Sequence, residues 1–387
     1  MARNTIPQSE LIKRTDFREP DIRGHFYRDQ TAIIHSRPFR RLKNKTQVFF
    51  SPDDDHVCTR IEHVLHVATI AATICKGLKS KPGCNWELDE DMAYAIGLAH
   101  DLGHTPFGHS GERQLNVLMK DQGGFAHELN SYRVVEKLAE RGQGLNLTWA
   151  VKNGIICHNG ESFERTISPD QQIIDLDKVN NRKHLPATYE GVIVRFSDKI
   201  AYLGRDIEDA VIAGMIGMND IPEEIRTRIG AKNGEIINHL VLDLIDNSTD
   251  DQIGFSEECY ELLLKLKDFN YQRIYRHPVL MKYEKYCVEI INRIFGYLLD
   301  RFNKYGFEHQ KYSEDSKLSV DQYFGNYLHA MQPFYEKERA TKDASYSVEK
   351  QILSDYISGM TDKFAIECMQ QLSIPQAIDF RRRLENH

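Results

Sequence analysis

An all-α fold is predicted for this chain, and three observations predict it. Apolar residues recur at three- and four-residue intervals over long stretches, alternating β-branched runs are almost absent, and Gly, Pro and Asn clusters break the periodic stretches at helix-length intervals. At 387 residues the chain can build a large core of two or three units. A soft boundary is expected near 215. With a further break near 55 it divides the chain into an N-terminal arm and substrate-site segment (1–55), a helical core (56–215) and a C-terminal helical region (216–387).

Composition narrows the function class. A net charge of −7 argues against a mainly electrostatic nucleic-acid binder. The cysteines at 58, 75, 84, 157, 259, 287 and 368 contain no CxxC pair, so they read as small apolar thiols in a reducing compartment. No N-terminal apolar stretch and no apolar run near 18 residues is seen, so neither secretion nor a membrane span is indicated and a cytoplasmic setting is expected.

Taken in order, residues 1–30 read as a polar arm or short helix, and 29–42 as helical with Pro38 interrupting. Residues 43–50 read as a short extended piece, and Asp53, Asp54 and Asp55 as caps for the next helix. That helix is predicted over 56–78, where Val57, Ile61, Val64, Leu65, Ala68, Ala71, Ala72, Cys75 and Leu78 make one face with Arg60 and His63 at its edge. Further helices are predicted over 89–102, stopped by Gly103, and over 110–119, 127–141 and 148–158. After an irregular stretch (159–187) come a long helix at 190–213 and helices at 221–246, 256–275 and 277–305. A charged loop (306–318) precedes helices at 321–338, 346–358 and 362–384.

The chemistry concentrates in residues 99–112, AHDLGHTPFGHSGE. His100 and Asp101 end an apolar helix just ahead of a Gly/Pro turn, where imidazole and carboxylate can bind a divalent ion. Further donors would be a histidine of the preceding helix and Asp198. Spacing alone leaves His56, His63 and His66 in competition, and a solvated helix face is the simpler reading of Asp198. His109 and Glu112, three residues apart at a helix start, can form a proton-transfer pair or merely complement the helix N-terminus. His104 and His127 add imidazoles without a pattern of their own. Lys199, Arg205 and Arg60 are candidate phosphate contacts, although for Arg205 a solvated face is simpler. No Walker A, GxGxxG or GxSxG sequence is present.

Several of these stretches, in this order, resemble one family. Arg60-Ile-Glu-His63, His100-Asp101 and Asp198 form the H…HD…D pattern of HD-domain phosphohydrolases. FRRLKNKTQVF (39–49), AHDLGHTPFGHSGE (99–112), GGFAHELNSYRVV (123–135), GLNLT (144–148) and SDKIAYLGRDIEDA (197–210) are similar to the deoxyguanosinetriphosphate triphosphohydrolase family. The resemblance implies hydrolysis of a dNTP to deoxynucleoside and intact triphosphate, with dGTP favoured by the family name. It implies His63, His100, Asp101 and Asp198 as metal ligands, His109 as the catalytic histidine oriented by Glu112, and His127 as a further catalytic histidine. It places Arg60, His104, Lys199 and Lys267 at phosphate, and Gln47, Tyr202, Asp206 and Tyr275 around the sugar. The expected cofactor is one divalent ion per site, Mn²⁺ or Mg²⁺ first, with Fe²⁺, Co²⁺, Ni²⁺ and Zn²⁺ as alternatives. The family often forms hexamers or other multimers, so a homo-oligomer is expected. A phosphomonoesterase or phosphodiesterase on another nucleotide, or a nucleotide sensor without turnover, are the competing readings. The short connections of this chain put in question any transfer of the family's effector-nucleotide or nucleic-acid sites.

Overall fold

Helix packs on helix throughout the computed structural model, which describes residues 2–48, 58–158 and 163–374. The strands among these are four two-residue pieces. Ala2–Arg3 pairs parallel with Trp86–Glu87, and Thr166–Ile167 pairs antiparallel with Ile253–Gly254. The larger helices are α1 (His25–His35), α2 (Arg60–Lys79), α3 (Glu90–Ala99), α4 (Gly108–Leu118), α5 (His127–Arg133), α6 (Trp149–Cys157) and α7 (Tyr189–Ile212). They continue as α8 (Asn233–Asn247), α9 (Glu257–Asn270), α10 (Pro278–Tyr305), α11 (Ser319–Ala340), α12 (Val348–Ser358) and α13 (Asp362–Ser373).

Helices α2, α3 and α7 form the centre, with α1 laid on α3 and α8 on α7. α2 and α3 touch closely because Gly97 carries no side chain, and a Cβ there would lie 2.6 Å from Ala68 Cα. Val64, Val67, Ile74, Leu98, Val192 and Ile200 are fully buried in this core, each contributing about 1.5–3 kcal/mol by burial. That core runs continuously from Ile6 to Leu280. A second core joins α10–α13 and takes in Phe107, Leu115 and Met119 from around α4.

Several boundaries differ from expectation, each for a local reason. α2 begins at Arg60 because the Glu62 carboxylate accepts from Thr59 N at 2.7 Å and from its hydroxyl at 2.9 Å. The expected Asp53–Asp55 caps lie outside the described residues. The buried face of α2 carries Arg60 and His63 together with Val64, Val67, Ala71 and Ile74, while Leu65 is exposed. In length and composition α2 could pass for a membrane span, which the sequence reading did not foresee, yet it is a core helix packed on α3 and α7.

The single helix expected over 127–141 is instead α5, a π-helical stretch Val134–Leu138, and a kink where Glu140 and Arg141 adopt left-handed φ of 49° and 61°. Residues 221–246 form two helices, Glu223–Arg228 and α8, separated by Gly230 at φ 130°. α9 likewise ends in a π-helical stretch, Tyr271–Tyr275. The charged 306–318 segment contains a short helix, His309–Asp315, anchored by buried Tyr312.

Candidate active site

The C-terminal end of α3 presents His100 and then Asp101. His100 Nδ1 donates to Gly97 O at 2.7 Å, which fixes the tautomer and leaves Nε2 as a lone-pair donor. That Nε2 is buried and has no hydrogen-bond partner among the described residues. His63 on α2 and Asp198 on α7 converge on the same point. His63 Nε2 lies 3.0 Å from Asp198 Oδ1, and His100 Nε2 lies 3.8 Å from that oxygen and 3.7 Å from Asp101 Oδ1. Ligand atoms of His63, His100 and Asp198 all fall within 4.8 Å of one another. Two imidazole and two carboxylate donors around one orphaned lone pair suit a divalent cation.

Charge is balanced tightly here. Burial opposes ionisation of Asp101, but Arg60 above all holds its carboxyl well below the usual range. The two are ion-paired in the interior, and Arg60 also donates to Thr46 O at 3.1 Å. Asp198 is likewise held low against its burial, chiefly by the His63 hydrogen bond and then by His100. His100 is driven down by burial and stays neutral, the form in which an imidazole can bind a metal.

A tight turn leads from Asp101 into α4. Gly103 is obligatory within it, since a Cβ would lie 2.1 Å from Ser131 N. Phe107 sits in the left-handed region at φ 63°, a strained state for a bulky residue. It is held there by its N–H donating to Asp362 Oδ1 at 3.0 Å and by burial of its ring. The turn aims His109 outward, with a side chain 62 % exposed and Nδ1 3.3 Å from Glu112 Oε2. Glu112 is buried and also accepts from His127 Nδ1 at 3.0 Å and His127 N at 3.0 Å. Burial alone would raise Glu112, but His127 and the two imidazole hydrogen bonds hold it ionised far below the carboxylate range. The same contact works in reverse on His127, which burial would lower and which Glu112 and Glu128 push up to about 9.

These groups open onto one cavity of about 370 Å³. Its walls include Gln47, Arg60, His63, Asp101, His109, His127, Asp198, Lys199, Tyr202, Asp206 and Tyr275. At the end away from the metal-type cluster, Tyr275 Oη donates to Asp206, whose carboxyl is raised by burial to about 8. Gln47 Oε1 and Asp206 Oδ1 are buried without hydrogen-bond partners among the described residues. Two of the expected phosphate contacts lie off the wall. His104 is buried behind His127, with their rings stacked at 4.5 Å. Lys267 packs on the Phe163 ring at 4.4 Å.

Other residues join the site without having been singled out from sequence. Glu128 adjoins His127, and Arg182 bridges Glu112 (2.6 Å) and Glu128 (2.5 Å) from an irregular loop. Glu164 accepts from Lys199 at 3.0 Å and pairs with Arg195. His158, at the end of α6, faces His100 and His127. Its one sequence signal was its place at the end of an apolar helix, which it shares with His100.

Comparison with known proteins agrees with this geometry. The model of the HD domain matches residues 60–203 and that of the phosphohydrolase-associated domain matches 253–371. A deoxyguanosinetriphosphate triphosphohydrolase-like protein of Caldanaerobacter subterraneus subsp. tengcongensis is 37% identical over 92% of this chain and 86% of its own. Proteins of the same description from Clostridium tetani (33% identical, 93% and 88% covered) and Desulfatibacillum aliphaticivorans (34%, 92% and 89%) are also similar. Three helices converging on a His/Asp cluster, with relatives matched along nearly the whole length, place the chain in the HD-domain family of deoxyguanosinetriphosphate triphosphohydrolase-like proteins, as a metal-dependent nucleotide phosphohydrolase.

Proposed function

We propose that the protein is a cytoplasmic, homo-oligomeric dNTP triphosphohydrolase, with dGTP the leading substrate and Mn²⁺ or Mg²⁺ as cofactor. The observation that carries this is the division of one cavity into two ends. One end holds the metal-type cluster, a proton-transfer pair and two cations, and the other holds tyrosines and a carboxyl kept neutral. A nucleoside triphosphate has matching halves.

His63, His100, Asp101 and Asp198 would hold the divalent ion, which supplies positive charge at the phosphate under attack and acidifies water. Arg60 and Lys199 line the same end and would give charged hydrogen bonds to phosphate oxygens, Lys199 exchanging Glu164 for substrate. Water bonds to the α-phosphorus, the bond to the 5′-oxygen breaks, and that oxygen must gain a proton. An alkoxide is too basic to leave unaided, so His109, exposed to the cavity and backed by ionised Glu112, gives it the proton. At the far end Gln47, Asp206 and Tyr275 would bind the 3′-hydroxyl, and Tyr202 would close against C2′ and exclude a ribose.

Product analysis over a panel of dNTPs and NTPs with several divalent ions tests the reading. Triphosphate and deoxynucleoside are expected. Pyrophosphate or phosphate as the product would reject the bond assignment, and tight binding without product would reject catalysis.

A further inference from the structure

Helices α3 and α6 end side by side, and each ends in a histidine. His100 caps α3 and donates Nδ1–H to Gly97 O, three residues back, at 2.7 Å. His158 caps α6 and donates Nδ1–H to Ile155 O, also three residues back, at 2.6 Å. Both rings are therefore locked in the same tautomer with Nε2 as a bare lone pair. Both are at most 1 % exposed, and their centroids are 4.9 Å apart. Neither Nε2 has a hydrogen-bond partner among the described residues.

A buried acceptor left unpaired costs free energy, so a histidine kept only for packing would turn its second nitrogen to a donor or to water. His158 instead turns toward the site. Ligand atoms of His100, Asp101 and His158 lie within 4.8 Å of one another, as do those of His63, His100 and Asp198. The two triads share His100.

We propose that His158 is a further ligand of the divalent cation, adding a third imidazole to His63 and His100 beside Asp101 and Asp198. The inference rests on the metal-dependent reading of the site and extends it. Three imidazoles make the donor set nitrogen-rich, which disfavours Mg²⁺ and favours Mn²⁺, Fe²⁺ or Co²⁺.

Pulsed EPR of the Mn²⁺-loaded full chain, with and without ¹⁵N-histidine, counts the bound imidazoles. Three are expected, and two would overturn the proposal while leaving the metal reading intact. Failure of the unaltered protein to bind any divalent ion would overturn both. Titration of metal-free His158→Gln and His158→Ala with Mn²⁺ gives an independent readout. Affinity at least tenfold weaker is expected in both, with unchanged far-UV circular dichroism, and affinity within twofold of the parent would refute the assignment. Should either variant misfold, the imidazole count on the unaltered protein still decides.

Discussion

Asp198 and Asp206 stand two turns apart on α7, about 12 Å along its axis, and the protein holds them in opposite protonation states. Asp198 faces His63 and His100 and stays ionised against its burial. Asp206 faces Tyr275 and a second carboxyl, Asp209, and burial raises it to about 8. One residue type on one helix thus supplies a metal-type ligand at one end of the cavity and a neutral hydrogen-bonding group at the other. Surroundings, not residue identity, assign the work.

Removing charge at the ionised end should have the largest effect. Asp101→Ala and Asp198→Asn are each expected to lose bound metal and turnover together, measured by elemental analysis and product formation. Full activity in a metal-free Asp101→Ala protein would sink the site assignment. Next comes His109→Ala, which should keep metal and nucleotide binding but slow the chemical step by about 10²- to 10⁴-fold. An unchanged single-turnover rate would reject its role as the acid.

At the neutral end the same kind of change should be mild. Asp206→Asn mimics the protonated carboxyl and should alter turnover at pH 7 by less than about tenfold. The sign follows from the raised value: the native carboxyl is neutral at pH 7 and ionises as pH rises through about 8. KM of the parent should therefore climb between pH 7 and 9 while that of the variant stays flat, and coincident profiles would break the comparison.

A third carboxyl on α7 sharpens it further. Glu190 accepts from Asp89 N at 2.9 Å and Asn4 Nδ2 at 2.9 Å, and burial raises it to about 7. Stability from such a group is complete below the unfolded value near 4.5 and is lost as pH rises through 7. Glu190→Gln gives up one accepted hydrogen bond but not the pH dependence of a buried carboxyl, so its stability should stay flat between pH 5 and 8 while that of the parent falls by about 2 kcal/mol, read from denaturant midpoints. A parent and variant with parallel pH profiles would contradict this.

The helical architecture and the His100-Asp101 pair were legible because periodicity and a His-Asp pair ahead of a Gly/Pro turn are local signals, whereas Asp198 and His63 came into view only through the family resemblance. Where the sequence fell short, the cause was tertiary. Leu65 fits the apolar period of α2, yet the packing of Gly97 on Ala68 turns Val67 and Ile70 inward in its place. The kink at Glu140 and Arg141 follows no Gly or Pro within 127–141, so periodicity ran straight through it. Arg182 and Glu164 lie in a breaker-rich stretch, where charge is read as solvation until the fold brings it against Glu112 and Lys199. Lys45 gave no signal either. It is buried, its pKa lowered to about 7 by desolvation, and it donates to the His104 and Ser358 carbonyls.

The Asp362 carboxylate reaches across from α13 to hold both Phe107 N and Thr46 N, the latter at 2.9 Å. The helix bearing His109 also buries Leu115 in the core formed by α10–α13. The turn and helix that carry His109 are therefore tied to the C-terminal core as well as to α3. A change along α13 should therefore be felt at His109 through the Phe107 turn, although Asp362 itself does not line the cavity.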